Sequence, residues 1–292
     1  MISVFPVVVS AEPDELKFFL QDFEIEKEEV KGFARLFWGT YQGNKLGLAC
    51  LGVGKTNAAA GTALVIESMK PDALFMVGAS GALSPVVAPG DVIVGTGLVD
   101  RDGGYLTTKG FVPGGAWLYD KTQPYYPSLV REITPDRELM VLAKTAAMSA
   151  ENELDSFGER KAKLHFGPIA TGDLFVAAIK EKNAIFSTYQ ALAAEMEGAA
   201  LAQTAYALDI PFLVIRGISD HADDSIELGT PKVYQNNEIV EELWHETRRE
   251  NSDPMQVASE AAKSLHSVFQ KASYNASIIA WSIIKRLPLV SG

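Results

Sequence analysis

Two pairs of polar residues in the segment 195–223 are spaced so that they could do acid and base chemistry. Glu195 and Glu197 precede a run of small residues that predicts a helix, and Ser219 and Asp220 follow an apolar run that predicts a strand. Ligand crevices of α/β proteins form at strand ends, and carboxylates in different surroundings can divide acid and base work. Solvated structural acids at element boundaries are the alternative interpretation.

The elements that position these acids alternate along the chain. Strands are predicted at residues 4–10, 35–41, 45–51, 73–77, 91–94, 167–171 and 212–218. Helices are predicted to begin at residue 13 and to cover residues 56–70, 137–150, 176–186, 198–208 and 254–271. Residues 100–135 form a long excursion rich in Gly, Pro and aromatic residues. This alternation predicts an α/β sandwich around a central sheet.

The composition limits the classes of function. The chain has 292 residues, of which 47% are hydrophobic, and it lacks a linker-like stretch, so we expect one main domain. Its net charge of −11 argues against binding to nucleic acid or to an anionic membrane, which needs clustered basic residues. The single cysteine, Cys50, and an N-terminus typical of a strand rather than of a signal peptide favour the cytoplasm.

The acidic segment resembles the active-site region of a known family. Its motifs, Ala194-Glu195-Met196-Glu197 and Pro211-Phe212 followed by Arg216-Gly217-Ile218-Ser219-Asp220, are similar to those of the purine nucleoside phosphorylase/nucleosidase superfamily. The branch that it resembles most is 5'-methylthioadenosine/S-adenosylhomocysteine nucleosidase, with similarity over residues 4–272. The resemblance implies an α/β fold: a three-layer α/β/α sandwich with a central mixed, partly closed sheet.

The resemblance also sets the expected domain organisation. Residues 1–272 would form the nucleoside phosphorylase/nucleosidase-like domain, and residues 273–292 would be a C-terminal extension. We expect the extension to be a helix docked on the body or on a partner subunit, with an interfacial membrane contact as the alternative. Its apolar part, residues 276–284, is too short to span a bilayer.

The resemblance assigns roles in breaking a purine N-glycosidic bond. Asp220 would protonate the leaving purine at N7, and Ser219 would hold Asp220 in place. Glu197 would hold the ribose hydroxyls, and Met196 would pack on the sugar. Arg216 matches an arginine near the site, although pairing with a neighbouring carboxylate is an equally good account of it.

An acid near the N-terminus decides between water and phosphate as the nucleophile. The segment Ala11-Glu12-Pro13-Asp14-Glu15 matches the nucleosidase motif and gives Glu15 the role of activating water, with Glu12 as a competitor for that role. Phosphorylase relatives have arginines where this chain has Glu15 and Met76, and phosphate recognition depends on such guanidinium groups. Water is therefore the expected nucleophile, and a phosphate-dependent phosphorylase is the alternative.

Two further segments resemble ligand-binding loops of the family. In the loop predicted at residues 78–82, backbone N–H groups and Ser80 would line the ribose and water pocket, with a simple tight turn as the alternative. In the segment 171–176, Phe175 would stack on the purine and the backbone of Val176 would contact its edge. A core position is the alternative for Phe175. Asp173 would anchor this loop.

Two other functions, an NTPase and a nucleoside sensor, are compatible with parts of the sequence. Residues 49–56 fit a relaxed P-loop pattern, which would indicate an NTPase, but such short motifs often arise by chance. A non-catalytic domain that binds and senses a nucleoside is the other alternative. Departures at residues 100–135 and 223–251 leave the 5' substituent of the substrate open, including a 5'-phosphate gripped by Arg101. Because dimeric relatives cap the neighbouring subunit's pocket with the first of these regions, we expect a homodimer. The four histidines lack metal-ligand spacing, so we expect no metal, and we expect no cofactor.

Overall fold

The computed structural model describes residues 3–119, 126–156, 159–223 and 254–291. Its strands are β1 (Pro6–Ser10), β2 (Phe23–Lys31), β3 (Ala34–Tyr41), β4 (Asn44–Cys50), β5 (Ala73–Ala82), β6 (Val92–Asp100), β7 (Gly104–Thr107), β8 (Gly110–Pro113), β9 (Ala116–Tyr119), β10 (Pro127–Val130), β11 (Leu164–Thr171), β12 (Ala193–Glu195) and β13 (Phe212–Asp220). Its helices are α1 (Lys17–Leu20), α2 (Lys55–Met69), α3 (Arg137–Ala150), α4 (Ile179–Tyr189), α5 (Gly198–Ala207) and α6 (Pro254–Ile284). Short 3-10 turns lie at Pro13–Leu16 and Glu151–Glu153.

The main sheet is mixed and closes partly on itself, as predicted. Within the described residues its strand order is β12-β11-β6-β13-β5-β1-β4-β3-β2, and β12 also pairs with β5. β13 is parallel to β5 and antiparallel to β6. Because β1, β5 and β13 are parallel neighbours, their carboxyl ends meet at one edge, where the crevice of an α/β protein is expected.

Helices cover both faces of this sheet because the central strands alternate between two apolar cores. Phe75 and Leu213 belong to the core formed with α3 and α6. The next residues along each strand, Met76 and Val214, belong to the core formed with α2 and α5. The result is the predicted α/β/α sandwich, with apolar central strands buried on both sides.

The predicted elements differ from the structure mainly where the pattern is not apolar. The helix predicted at residues 137–150 is α3, but the one predicted at 176–186 begins only at Ile179. β2 was missed because it is an edge strand rich in charged residues, and β12 because it is only three residues long. The loop predicted at residues 78–82 is wrong, since these residues complete β5. The excursion at 100–135 contains the hairpin β7–β8 and the antiparallel pair β9–β10.

The C-terminal segment continues the body of the protein. α6 passes through residue 272, and Ala276, Ile279 and Ile283 are fully buried in the core. The division into 1–272 and 273–292 therefore falls inside a helix, and it stays a prediction. In the described part of the chain, no helix has both the length and the apolar character needed to cross a membrane. Apart from Asp223, the departure predicted at 223–251 lies outside the described residues.

Candidate active site

A cavity of about 260 Å³ lies at the carboxyl ends of β1, β5, β12 and β13. It brings together nine of the predicted site residues, which are Glu12, Glu15, Ser80, Phe175, Val176, Met196, Glu197, Ser219 and Asp220. The tenth, Arg216, lies beneath the floor of the cavity and is 1% exposed. Residues separated by more than 200 positions in the sequence thus meet because the parallel strands end together.

Glu15 is held in a fixed position by the turn that follows β1. Its Oε2 accepts hydrogen bonds from the backbone N–H groups of Ala11 (3.0 Å) and Glu12 (3.1 Å), and its Oε1 accepts one from Ala79 (2.9 Å). The Arg216 guanidinium lies 3.9 Å from Oε1. Burial raises the pKa of Glu15, and it outweighs the opposing effects of Arg216 and of these N–H groups.

Arg216 pairs with the carboxylates of residues that line the cavity. Its Nη2 donates to Glu195 and, at 3.0 Å, to Oε2 of Glu197. Glu195 also accepts a hydrogen bond from the Thr171 hydroxyl and from the backbone N–H of Gly198 at 2.7 Å. The resemblance gives Glu195 no catalytic or binding role, although it belongs to the acidic doublet around Met196. This pairing is the alternative that the sequence left open for Arg216.

Glu197 has a strongly perturbed acidity. Burial raises the pKa of Glu197 to about 7, with the Arg216 guanidinium opposing the shift and the nearby charges of Glu195 and Glu15 adding to it. Its Oε1 accepts a hydrogen bond from the backbone N–H of Gly54 at 2.9 Å. Three buried acids share one guanidinium, so the cluster favours retention of a proton near neutral pH.

Asp220 lies at the end of β13 with few hydrogen-bond donors. Its Oδ2 accepts a hydrogen bond from the Ser219 hydroxyl at 2.6 Å, and its Oδ1 accepts one from the backbone N–H of Ala222 at 2.8 Å. Burial raises the pKa of Asp220 despite these two bonds. Ser80 is 5% exposed, and its hydroxyl donates to the carbonyl of Gly217 at 3.3 Å, so that hydroxyl is engaged with the sheet.

Two glycines of β5 make room for these acids. An added Cβ on Gly78 would lie 2.5 Å from Oε1 of Glu15, and one on Gly81 would lie 2.9 Å from Oδ1 of Asp220. Glu15 therefore contacts β5 at residue 79 and Asp220 contacts it near residue 81. Since a strand rises about 3.3 Å per residue, the two contacts lie roughly 6.6 Å apart along β5.

The loop after β11 forms another wall of the cavity. Val176 is buried, but Phe175 is 52% exposed, which excludes the core position that the sequence left open for it. Leu174 lines the cavity beside it and is also exposed. The ring of Phe175 therefore has a free face where a flat ligand can stack.

The P-loop interpretation of residues 49–56 is wrong. The backbone N–H of Gly54 donates to Glu197, and that of Lys55 donates to Oδ1 of Asp173 at 2.8 Å. A P-loop uses such N–H groups to hold phosphates. Here the N-terminus of α2 holds carboxylates of the protein itself, which leaves no place for a phosphate on these donors.

The described residues contain no group of three or more His, Cys, Asp or Glu side chains placed to hold a metal ion. The cavity lining of the described chain also includes no Lys, Arg or His. Arg101 is turned elsewhere, since its guanidinium donates to the carbonyl of Leu174 and lies 3.6 Å from Asp102.

Comparisons with known proteins agree with this geometry. A family model described as Phosphorylase superfamily matches residues 7–272. A protein of Listeria welshimeri named 5'-methylthioadenosine/S-adenosylhomocysteine nucleosidase is 31% identical over 217 residues, which cover 74% of this chain and 86% of that protein. One of the same name from Desulfotalea psychrophila is 29% identical over 214 residues, covering 73% and 82%.

Solved structures give the same picture. The nucleosidase of that name from Neisseria meningitidis, in complex with methylthio-immucillin-A, is 26% identical with a TM-score of 0.70 and coverage of 97% of this chain and 99% of that one. Futalosine hydrolase of Helicobacter pylori, 22% identical with a TM-score of 0.70 over 97% and 98%, shares the fold.

Proposed function

Because the chain belongs to the phosphorylase superfamily, we propose that it is an N-glycosidic bond hydrolase, a nucleosidase. It releases adenine from a 5'-modified adenosine such as 5'-methylthioadenosine or S-adenosylhomocysteine, with water as the nucleophile. The observation that carries this function is one cavity in which Glu15, Glu197 and Asp220 meet without a basic side chain in the described lining. The names of the relatives agree with it.

Asp220 is the acid in this proposal. Breaking the bond to a purine leaves negative charge on the base, and a proton delivered to N7 relieves it. The raised pKa of Asp220 supports this role, because a carboxyl that keeps its proton nearer to neutral pH is a better donor. An Asp can also accept a hydrogen bond from the exocyclic amine, which favours adenine over 6-oxopurines.

Glu15 is the group that activates water. Three backbone N–H groups orient its carboxylate, and its raised pKa makes it a stronger base than an exposed glutamate. Glu12, the competitor, is exposed, and its backbone N–H is one of the donors to Glu15. The test compares Glu15→Gln with Glu12→Gln. We expect the first to lower kcat by about 10² or more and the second to change it less than about threefold. The reverse order would move the role to Glu12.

The remaining roles concern binding of the nucleoside. Glu197 holds the ribose hydroxyls, and Met196 packs on the sugar. Phe175 stacks on the purine, and the backbone of Val176 contacts its edge. All four residues line the cavity that also contains Asp220, which supports this assignment.

Water is favoured over phosphate by the charge of the cavity. Six acidic residues line it, Glu12, Asp14, Glu15, Glu195, Glu197 and Asp220, and a phosphate dianion there would meet strong repulsion. Arg216, which lies beneath the floor, is committed to the carboxylates of Glu195 and Glu197. The same field disfavours a substrate with a 5'-phosphate, and Arg101 is turned to a backbone carbonyl instead.

We further infer that two copies of the chain form a homodimer. The hairpin β7–β8 and the loop after β11 line a second pocket together, through Phe111, Pro113 and Leu174. They expose large apolar side chains, of which Leu106 is 88% and Leu174 is 71% exposed. Apolar patches of this kind mark interaction sites, and a second copy would cover the mouth of the cavity. Light scattering tests it: a mass of one chain contradicts the dimer. A cytoplasmic role in purine salvage completes the proposal.

The decisive experiment is chromatography of adenine released from a panel of 5'-modified adenosines and inosine, with and without phosphate. The proposal expects equal adenine release in both conditions and little release from inosine. Strict dependence on phosphate would instead identify a phosphorylase. Tight binding of adenosine compounds without any release would identify a non-catalytic sensor.

A further inference from the structure

The motif at residues 52–56, which is not a P-loop, is connected to the cavity by a closed set of contacts. Lys55 Nζ lies 3.0 Å from Oδ1 of Asp100 and 3.2 Å from Oδ2 of Asp102. Asp102 Oδ2 accepts a hydrogen bond from the backbone N–H of Asp173 at 2.7 Å. The Asp173 carboxylate in turn accepts a hydrogen bond from the backbone N–H of Lys55 at 2.8 Å. The end of β6, the start of α2 and the loop after β11 are thereby joined in a ring.

The ammonium of Lys55 is retained at this place. Burial alone would lower the pKa of Lys55, but the hydrogen bonds and charges of Asp100 and Asp102 outweigh it and raise the pKa. The Lys55 side chain is 21% exposed, and those of Asp100 and Asp102 are 18% and 30% exposed. Ion pairs that are largely removed from solvent are less screened than surface pairs, so this one can hold a loop.

The loop that the ring holds carries the residues proposed to contact the purine. Asp173 is fixed through both its N–H and its carboxylate, and the carbonyl of Leu174 accepts a hydrogen bond from Arg101. Phe175 and Val176 follow directly and line the cavity. Phe175 is 52% exposed, so little packing restrains it and the anchored residues before it set its place.

We infer that Lys55 is a positioning residue for the purine, acting through Asp102 and Asp173 on the loop that carries Phe175. Lys55 itself does not line the cavity. The inference rests on the proposed function, since it takes the purine to be the group held by this loop. Loss of the ammonium would leave Asp102 paired with the more distant Arg101 guanidinium, at 3.6 Å, and would remove the ion pair of Asp100. The loop would loosen, while the acids that do the chemistry stay in place.

The test compares Lys55→Met, which keeps the length of the side chain, with Lys55→Arg, which keeps its charge. For Lys55→Met we expect about a tenfold rise in KM for 5'-methylthioadenosine and a change in kcat below about threefold. Adenine alone should bind about tenfold more weakly by calorimetry, since the loop contacts the base. Lys55→Arg should recover KM to within about threefold of wild type.

A matched control and a second variant keep the test decisive. Lys45→Met removes an ion pair of similar length, 2.6 Å to Glu26, on a part of the sheet far from the cavity lining, and it should leave KM unchanged. Asp102→Asn should reproduce the rise in KM, and its effect should not add to that of Lys55→Met. Asp102→Asn also tests the positioning role if Lys55→Met fails to fold.

The outcomes separate this inference from the proposed function. If wild type releases adenine but Lys55→Met binds adenine within twofold of wild type, the positioning role is wrong and the function stands. A fall in kcat without a change in adenine binding overturns it as well. If wild type releases no adenine, the proposed function fails, and weaker adenine binding by Lys55→Met still supports the positioning role.

Discussion

Two acids near the same end of β13, the fully buried Asp91 and the partly buried Asp220, have opposite pKa shifts. Asp91 lies at the start of β6, where its carbonyl accepts a hydrogen bond from the N–H of Ile218 at 2.7 Å, two residues before Asp220. Burial alone would raise the pKa of Asp91, but hydrogen bonds from His165, Arg160 and two backbone N–H groups outweigh it and lower the pKa to about 2. The pKa of Asp220 is raised instead.

The difference shows that burial alone does not decide the state of an acid. Asp91 is fully buried, and Arg160 contacts both of its oxygens, at 2.6 and 2.9 Å. Asp220 accepts only from a neighbouring hydroxyl and one N–H among the bonds described. A carboxylate that accepts several hydrogen bonds is stabilised as an anion, whereas one that accepts few favours its protonated form. The first suits a structural role and the second suits proton donation.

Of the substitutions that test this comparison, Asp220→Asn should have the largest effect on activity. The amide keeps the shape but has no proton to give, so we expect kcat for adenine release to fall by about 10² to 10⁴. The free energy of unfolding should change by less than about 1 kcal/mol, since a partly buried acid that accepts few hydrogen bonds contributes little stability. Initial rates and urea unfolding measure the two quantities.

Ser219→Ala is the milder companion to that variant. It removes one of the two bonds to Asp220, and about a tenfold fall in kcat is expected. If Asp220→Asn retained more than a tenth of the wild-type kcat, the proton would come from another group and the assignment of the acid would be wrong.

Asp91→Asn should have the reverse effect, lowering stability and leaving activity nearly unchanged. It leaves the Arg160 guanidinium, which is 37% exposed, without its carboxylate and weakens the acceptor for two backbone N–H groups, so we expect a loss of about 1 to 2 kcal/mol of unfolding free energy. At temperatures where the variant is folded, kcat should stay within about threefold of wild type, because no atom of Asp91 lines the cavity. A stable variant with lost activity would contradict the separation of the two roles.

The sequence predicts the fold better than it predicts the contacts between distant segments. Apolar runs and a resemblance gave the central strands and the mixed sheet, since those follow from local patterns. β2 was not predicted, because its residues are mostly charged and exposed and show no apolar alternation. Residues 254–271 and the C-terminal extension are each expected to be helical, but no local pattern shows that they form one continuous helix, α6.

The same limit applies to the candidate site. The acids of residues 195–220 could be found because they lie in one dense motif. Lys55 is 45 residues from Asp100, and its N–H partner Asp173 is 118 residues away. Their ring depends on how β6, α2 and the loop after β11 come together, so only a three-dimensional arrangement reveals it. The short motif around Lys55 instead suggested a phosphate site.

The pH dependence of stability should carry opposite signs for the two clusters. The pKa of Asp91 is about 2 in the folded protein against 3.8 as its ordinary value, so the unfolded chain binds more protons between these pH values. Stability therefore rises with pH from about 2 to 4, by about 2 kcal/mol, and is lost as pH falls. For Glu197, whose pKa rises from 4.5 to about 7, the folded protein binds more protons.

Stability should consequently fall as pH rises from about 4.5 to 7, by about 1 to 3 kcal/mol from this group. Urea unfolding at stepped pH measures both slopes in one protein. Glu197→Gln should reduce the fall between pH 4.5 and 7, to which Glu15 and Asp220 also contribute through their raised pKa values, and it should leave the acidic slope unchanged. Asp91→Asn should remove the acidic slope and leave the neutral one. If Glu197→Gln left the neutral slope unchanged, its carboxyl would be ionised like that of Asp91, and the contrast between the two clusters would not hold.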